Sequence, residues 1–562
     1  MFPRKRLCAG VFREIFMKVV IIGGVAGGAT AAARIRRLDE RAEIVMLERT
    51  GYVSYANCGL PYYVGGTIGE EDALTLQTPQ SFFARYRVDV RVGHEAVKID
   101  RAGRRVTVRD LATGRTYEES YDKLLLAPGA KPVLPAAAQT ADPRVFTLRT
   151  VEDTLALHDF VAGNKPRTAV VVGGGFIGLE TAENLVRRGV RVTLIQRGDH
   201  VLAPLDRDMA CFLHAELIAR GVDLRLNTPF EGLRAEKQLV VCTKNGEINA
   251  DLAVIALGVT PDTQLAKEAG LELGMKESIV TDAHMRTSDP DIYAAGDAVE
   301  VRHFVTGAKT LIALAGPANK QGRIAADNIC GIPSEYRGSQ GSSVIQVFSR
   351  TAANTGLNEK AARAAGLDYD KVILSPANHA TYYPGAQLMT MKVLFERGTR
   401  RILGAQIVGG AGTDKRIDVL ATAIRAGLTA DELKDLDLAY APPYSSAKDP
   451  VNMAGYMIDN VLSGRVKQFF YEDLAALPKD GSVLLLDTRT RGEYARGHAD
   501  GFFNLPLDEL RERLSELDRG KKVYVMCQSG LRSYLACRIL AQNGFDCFNF
   551  AGGYRYYAAV HA

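Results

Sequence analysis

Residues 18–28 read KVVIIGGVAGG and residues 168–180 read TAVVVGGGFIGLE, and these two stretches decide the fold. Each opens on a continuous apolar run, the pattern of a parallel strand buried on both faces. Each then turns through glycines into a helix. A second strand follows in both cases: AEIVMLE, ending on Glu48, and RVTLIQ over 191–196. Strand, helix, strand, repeated 150 residues apart, is an internal duplication of nucleotide-binding character.

A turn that holds a pyrophosphate needs glycine for three things: a sharp bend, close approach of backbone to ligand, and packing of the helix on its strand. Gly23 and Gly28 fill the first and third roles in the first turn, with Val25 at the second. Gly173, Gly175 and Gly178 fill all three in the second turn. Glu48 stands at a strand end, where a carboxylate accepts from ribose hydroxyls. Its counterparts in the second unit are Gln196 and Arg197. An acid there would repel a 2′-phosphate, so its absence leaves NADPH open beside NADH. One site for a flavin and one for a nicotinamide is the simplest use of the duplication.

Outward from these turns, 85–122 is polar and β-rich, and KLLLAPGAKP over 123–132 is a buried strand running into a turn. AVIALG at 253–258 closes the second unit. DIYAAGD, 291–297, reads as a strand ending on Asp297, with a helix following around 315–331. From about 336 the pattern alternates (VIQVFSR, QLMTMKVLFE, ILGAQIVG), and helices are expected at 415–426, 429–436 and 449–462. The last 95 or so residues carry their own strands, VLLLD and KVYVM, and helices at 507–516 and 531–543, enough for an independent α/β domain. The expected class is α/β. One dinucleotide domain comes from 17–150 and 259–335, a second from 151–258, an α+β domain from 336–465, and a C-terminal α/β domain from 466–562. Residues 1–16 read as a disordered extension.

Composition narrows the function classes. The chain is 47% hydrophobic and 24% charged, the balance of a globular protein rather than a fibrous or disordered one. Net charge is +5, of which residues 1–16 give +3, from Arg4, Lys5, Arg6 and Arg13 against Glu14. The remainder is nearly neutral and argues for no nucleic-acid or membrane partner. No apolar run reaches the roughly 18–20 residues of a membrane span. The eight cysteines include no CxxC pair, so neither a disulfide framework nor a metal site is expected, and the default compartment is a reducing cytoplasm.

Cys58 lies in SYANCGLPYY, shortly after the first nucleotide-binding unit. An unshifted thiol is only about 3% thiolate at pH 7. A helix beginning just after Cys58 is expected to help through its dipole. Tyr63 stands five residues on, where a second cysteine would be needed, so Cys58 can pair only with a small thiol or another chain.

GGVAGG, SYANCGLPYY, APGAKP, GGGFIGLE, IYAAGD, LAGPANKQGR, YYPGA and YAPPYSSAKDPVNMAGY together resemble the coenzyme A-disulfide reductase branch of the single-cysteine flavin disulfide reductases, with its NADH oxidase and persulfide reductase relatives. The resemblance runs over about 17–462. It implies FAD at the first turn, with Glu48 on its ribose and Asp297 near its ribityl chain. It implies NADH or NADPH at the second turn, with Glu180 near the nicotinamide. Arg49, Asn57, Pro128, Gly129, Gly258 and Pro317 fall among the implied cofactor contacts. Cys58 becomes the redox nucleophile, attacking a disulfide or persulfide sulfur. The third domain becomes a dimerisation domain, making a homodimer with shared active sites. Tyr382 and Tyr440 map best to two tyrosines that act from the partner subunit, with Tyr383 and Tyr444 close by. Coenzyme A, as substrate or tightly bound, falls on Thr30, Arg34, Arg37, Ser54, Asn57 and Lys448.

The tail carries a separate signature: LLLDTR, Glu493-Tyr494, Gly497-His498, Asn504-Leu505-Pro506 and CQSGLRS from Cys527 to Ser533. Over about 470–560 it is similar to a rhodanese domain. A six-residue loop between a strand and a helix N-terminus turns successive N–H groups inward and cradles an anion. Cys527 is the implied sulfur carrier, Arg532 closes the rim, and Asp487 and Arg489 brace the fold. The expected activity is NAD(P)H-dependent reduction of small-molecule persulfides, polysulfide or coenzyme A disulfide at Cys58, with Cys527 supplying sulfane sulfur. The alternative is an NAD(P)H oxidase or peroxidase cycling through a Cys58 sulfenic acid.

Overall fold

The structure, a computed structural model, describes residues 16–561. The expectation of a disordered extension thus falls, except for Phe16, outside the described residues. The two runs quoted above form the central strands Lys18–Ile22 and Thr168–Val172, each covered on both sides by parallel neighbours. The first sheet places Ile292–Ala294, Lys123–Leu126, Lys18–Ile22, Glu43–Glu48 and Asp89–Val92 side by side, all parallel. The second places Val145–Phe146, Leu252–Ile255, Thr168–Val172, Arg191–Ile195 and Asp223–Arg225 in the same pattern. The duplication goes further than the turns. Each unit inserts a three-stranded antiparallel sheet, over 94–120 and over 230–250, just before its strand Lys123–Leu126 or Leu252–Ile255.

The alternating segments form a five-stranded antiparallel sheet of Ser343–Val347, Arg350–Gly356, Ile402–Gly409, Thr390–Glu396 and Tyr369–Leu374. The helix Thr413–Ala426 buries Ile417, Leu420 and Ile424, its period-3.6 stripe, in the same apolar cluster as that sheet. Two expected helices are shorter than their apolar spacing suggests. Residues 429–436 make only a 3-10 turn, Asp431–Asp435, because the chain leaves it extended at Leu436. The segment 507–516 breaks into Leu507–Leu510 and a 3-10 turn Leu514–Glu516, held by Arg513 bridging Glu509 and Glu516.

The tail is a parallel sheet of Lys467–Phe469, Cys547–Phe550, Val523–Met526, Leu484–Asp487 and Phe503–Asn504. It is packed onto the body. One apolar cluster runs from Val171 and Leu213 through Ile345 and Ile373 to Phe469, Phe550 and Tyr556. A buried ionic network ties the same three parts together. The fully buried Lys392 ammonium bonds Asp206 at 3.2 Å, Asp208 at 2.5 Å and Glu359 at 2.8 Å. Lys371 bonds Glu359 and Glu472 of the tail, both at 2.9 Å, and the Tyr556 hydroxyl donates to Asp208. Three carboxylates facing one lysine offset its desolvation, and they hold it charged above its ordinary range.

Candidate active sites

The first glycine turn is sterically closed to side chains. A Cβ on Gly23 would stand 2.0 Å from the Ala127 carbonyl oxygen, and one on Gly28 would stand 1.8 Å from that of Gly23. The quoted motifs converge here. Ala127 of APGAKP, Ala295 of IYAAGD and Ala318 of LAGPANKQGR all lie within 4 Å of a Cβ built on Gly27. Gly24 N–H donates to Glu48 Oε2 at 2.8 Å, while Thr50 N–H and Oγ1 donate to Glu48 Oε1 at 2.9 Å. Glu48 is therefore buried and braces the turn as well as standing at the strand end. Arg149 donates to Asp297 at 3.0 Å and to the Ala130 carbonyl at 3.1 Å. Gly129 lies against that arginine with φ +71°, and Arg49 pairs with Asp262 at 2.8 Å. Pro128 lies beside Gly129, and Pro317 sits in the first turn of the helix Ala315–Ile329. Gln321 of that helix fixes the Gly296 N–H at 2.7 Å, next to Asp297.

The second turn repeats the device. A Cβ on Gly178 would stand 1.8 Å from the Gly173 carbonyl oxygen, and Gly174 N–H donates to Gln196 Oε1 at 3.0 Å. Gln196 is thus the neutral counterpart of Glu48. Arg197 beside it is exposed. A Cβ on Gly175 would meet nothing within 4 Å, and Gly258 faces open space with φ +98°. Closed glycines where the chain packs, and open ones where backbone faces outward, fit two dinucleotide cradles.

Cys58 sits in the 3-10 turn Asn57–Gly59, between the two cradles. Ser54, at φ +48°, donates its N–H to the Gly24 carbonyl at 2.8 Å and so ties the segment to the first turn. The helix Leu60–Val64 then reaches the second unit, where the Tyr62 hydroxyl donates to Glu180 Oε1 at 3.1 Å. The expected dipole assistance does not materialise, because a five-residue helix has little macrodipole. Cys58 is exposed by surface area, yet the protein mass around it makes burial the leading influence. Burial and then the Glu180 charge push its thiol pKa up, with Arg149 opposing. Burial raises the Glu180 carboxyl to about 7, against the Tyr62 hydrogen bond. Glu180 is therefore ionised over the pH range where Cys58 deprotonates, and its charge disfavours the thiolate. Glu180→Gln removes the charge and should speed iodoacetamide labelling of Cys58 at pH 8 by roughly two- to five-fold. Peptide mass spectrometry reads the rate; an unchanged or slower rate would mean that Glu180 does not control the thiol.

Thr30, Arg34 and Arg37 lie at i, i+4 and i+7 on the helix Ala26–Leu38. Arg34 pairs with Asp327 at 2.7 Å, Thr30 donates to Asn319 at 2.5 Å, and Arg37 is exposed. Asn57 is half-buried beside Cys58, while Lys448 is exposed, in the third domain. The tyrosines divide clearly. Tyr382 and Tyr440 share a hydrogen bond, hydroxyl to hydroxyl, at 2.7 Å, and it holds the Tyr382 hydroxyl above its ordinary range. Both are exposed. Tyr383 instead turns its ring to His379, and Tyr444 contributes a backbone carbonyl to Arg416. Arg416, fully buried, anchors both tyrosine loops through Asn378 O, Tyr444 O, Ser445 Oγ and Asp449 Oδ2 at 2.9–3.1 Å. Arg149, Tyr62 and Arg416 were missed by sequence reasoning; of these only Tyr62 lay inside a quoted motif.

In the tail, Cys527 is fully buried after the strand Val523–Met526. Gly530 N–H at 3.1 Å and the Ser533 hydroxyl at 3.2 Å both reach its sulfur. One N–H and one hydroxyl thus hold the Cys527 sulfur itself. Gly530, at φ +96°, makes the turn into the helix Leu531–Gln542. Arg532 grips Glu493 in a bidentate pair, 2.7 Å in each arm, and so pins the rim. That pair lowers the Glu493 carboxyl to about 2. Asp487 and Arg489 are buried and paired, with Arg489 stacked on Tyr554 at 3.9 Å and donating to the Gly497 carbonyl.

Two dinucleotide cradles with a lone cysteine beside them fit an oxidoreductase of the flavin and nicotinamide kind. The chain belongs to the pyridine nucleotide-disulphide oxidoreductase family, matched over residues 17–322, with that family's dimerisation domain over 343–450. Residues 470–559 match the rhodanese-like domain. A coenzyme A disulfide reductase of Staphylococcus epidermidis is 36% identical over 440 residues, 78% of this chain and 99% of that protein. The reduced CoADR-RHD of Bacillus anthracis superposes with a TM-score of 0.94 at 44% identity, covering 98% of this chain and 99% of that one. An NAD-dependent persulfide reductase from A. fulgidus superposes at 0.91 and 39% identity, covering 96% and 100%. Among the described residues no helix is long and apolar enough to cross a membrane, and no cluster of side chains could hold a metal ion.

Proposed function

We propose that this enzyme reduces small-molecule persulfides, polysulfide and coenzyme A disulfide, working as a homodimer with shared sites. The observation that carries the reading is a single accessible cysteine, Cys58, set between two dinucleotide cradles. FAD in the first cradle, held at Gly23, Gly28, Glu48 and Asp297, and NADH or NADPH in the second, at Gly173, Gly175 and Gly178, supply the electron pair. The missing carboxylate at Gln196, with Arg197 exposed beside it, supports acceptance of NADPH as well as NADH.

Cys58 thiolate attacks a sulfur of the substrate, the S–S bond breaks, and the leaving sulfur departs with its electron pair. With coenzyme A disulfide the leaving group is coenzyme A thiolate; with its persulfide it is hydrosulfide. Cys58 is left in a mixed disulfide. Two electrons and a proton then return Cys58 as thiolate and release the second thiol. Tyr382 and Tyr440, as one hydrogen-bonded acid pair offered to the partner subunit, protonate the leaving thiolate. Thr30, Arg34, Arg37, Ser54, Asn57 and Lys448 hold coenzyme A, the cations at its phosphates. In the tail, the Cys527 thiolate attacks the outer sulfur of a sulfane donor, the donor's S–S bond breaks and the donor leaves with the electron pair; a thiolate such as that of coenzyme A then takes the outer sulfur of the Cys527 persulfide, frees Cys527 as thiolate and carries the new persulfide to Cys58. Seven free cysteines among the described residues suit work in a reducing cytoplasm.

The test is anaerobic NAD(P)H oxidation with coenzyme A persulfide, polysulfide and coenzyme A disulfide, beside an aerobic control without acceptor. Fast turnover with a sulfur acceptor and slow oxygen consumption is the expected result. Fast oxygen consumption with indifferent sulfur rates would replace the reading with an oxidase.

A further inference from the structure

The tail helix Gly553–His561 faces two ways at its start. The N–H groups of Tyr554 and Arg555 donate to the carbonyls of Cys527 and Gln528, at 2.7 and 3.1 Å, and so hold the cysteine loop. The Arg555 side chain runs instead into the body. Its guanidinium donates to Thr390 Oγ1 at 2.6 Å and lies over the Phe212 ring at 5.0 Å, with the Leu388 carbonyl at 3.5 Å. All these partners are neutral, and among the described residues Arg555 has no carboxylate within salt-bridge reach. The cation whose charge bears on it is Arg350, whose one carboxylate among the described residues, Glu216 at 3.6 Å, is shared with Arg220 at 2.9 Å and Ser349 at 2.8 Å.

A cavity of about 380 Å³ lies between them, lined by Ser349, Arg350, Gln387, Leu388 and Arg555. Burial, and then the Arg350 charge, hold the Arg555 guanidinium down to about 10. A part-buried cation without a counter-ion is costly unless an anion completes it. The place is also telling. Gln387 and Leu388 form the base of the loop 377–388, closed by the Ala377–Leu388 bridge, and the tip of that loop carries Tyr382. The cavity therefore adjoins both the helix that holds the Cys527 loop and the base of the loop that carries Tyr382.

We infer that Arg350 and Arg555 form a binding site for a tetrahedral oxyanion that docks beside Cys527 during sulfur transfer. Guanidinium forks match such an anion in geometry and charge. The anion is either a phosphate group of the coenzyme A carrier or a free sulfur oxyanion such as thiosulfate. The first source rests on the proposed transfer from Cys527 to coenzyme A.

The experiment uses the full FAD-loaded chain, with Arg350→Gln and Arg555→Gln. Arg350→Gln leaves the docking of the tail helix untouched, so it carries the test if Arg555→Gln does not fold. Three rates are read: loading of Cys527 from thiosulfate, transfer of its sulfur to coenzyme A, and transfer to pantetheine, which lacks the phosphates. A roughly ten-fold loss confined to coenzyme A assigns the site to the carrier phosphate. A similar loss confined to thiosulfate loading assigns it to the free oxyanion. Wild-type rates in all three arms, or equal losses in all three, overturn the inference. Wild type that transfers to neither thiol would defeat the proposed transfer, while thiosulfate loading would still test the site.

Discussion

Cys58→Ser should lower reductase turnover with coenzyme A disulfide by roughly a thousand-fold or more, while FAD stays bound and Cys527 keeps its sulfurtransferase rate. The change swaps one atom at an exposed residue, so packing is not at stake. A serine hydroxyl stays protonated at neutral pH and cannot form the mixed disulfide. FAD retention follows because the cradle is made by Gly23, Gly28 and Glu48, none of which touches the thiol. The second rate follows because the Cys527 loop is held by its own tail helix and by the Arg532–Glu493 pair. Cys527→Ser should give the reciprocal result: sulfur transfer lost, coenzyme A disulfide reduction kept. Flavin absorbance, NADH oxidation and thiocyanate formation from cyanide measure the three quantities. A Cys58→Ser enzyme within ten-fold of wild type on coenzyme A disulfide would remove Cys58 from the mechanism.

Much of this was legible because the chemistry sits on local pattern. Continuous apolar runs announce doubly covered strands, and glycine spacing announces a cradle in which the first and last glycines leave no room for a Cβ. The two turns therefore emerged with their strands and partners in place. Pairings between distant segments were not legible. No pattern marks Arg149 as the partner of Asp297, or Arg416 as the anchor that sets Tyr382 against Tyr440, since both follow from the packing of loops far apart in the chain. The Cys58 expectation failed for a related reason. Sequence shows that a helix follows, but not that it lasts five residues, nor that Tyr62 brings Glu180 of the second unit toward the thiol. The broken helices at 429–436 and 507–516 show the same limit, because apolar spacing there reflected burial of a few residues rather than a continuous face.

The duplicated turns allow a prediction in which three substitutions of one kind part company. Gly28→Ala places a Cβ 1.8 Å from the Gly23 carbonyl oxygen, and Gly178→Ala does the same against Gly173. Backbone at that distance must move, so each change distorts one cradle and spares the other. Gly28→Ala should yield protein largely without FAD, colourless and less stable by roughly 1–3 kcal/mol, an overpacking cost. Gly178→Ala should keep FAD but raise the KM for NAD(P)H by roughly ten-fold or more, the result of displacing the amides that face the pyrophosphate. Gly175→Ala separates the fold from the ligand. Nothing lies within 4 Å of its Cβ, so folding and FAD content should match wild type while nicotinamide binding weakens, because the open space there is where a dinucleotide approaches the backbone. Flavin content after gel filtration, thermal unfolding and KM values for NADH and NADPH measure all three. If Gly178→Ala lost FAD while Gly28→Ala kept it, the assignment of flavin to the first cradle and nicotinamide to the second would have to be reversed.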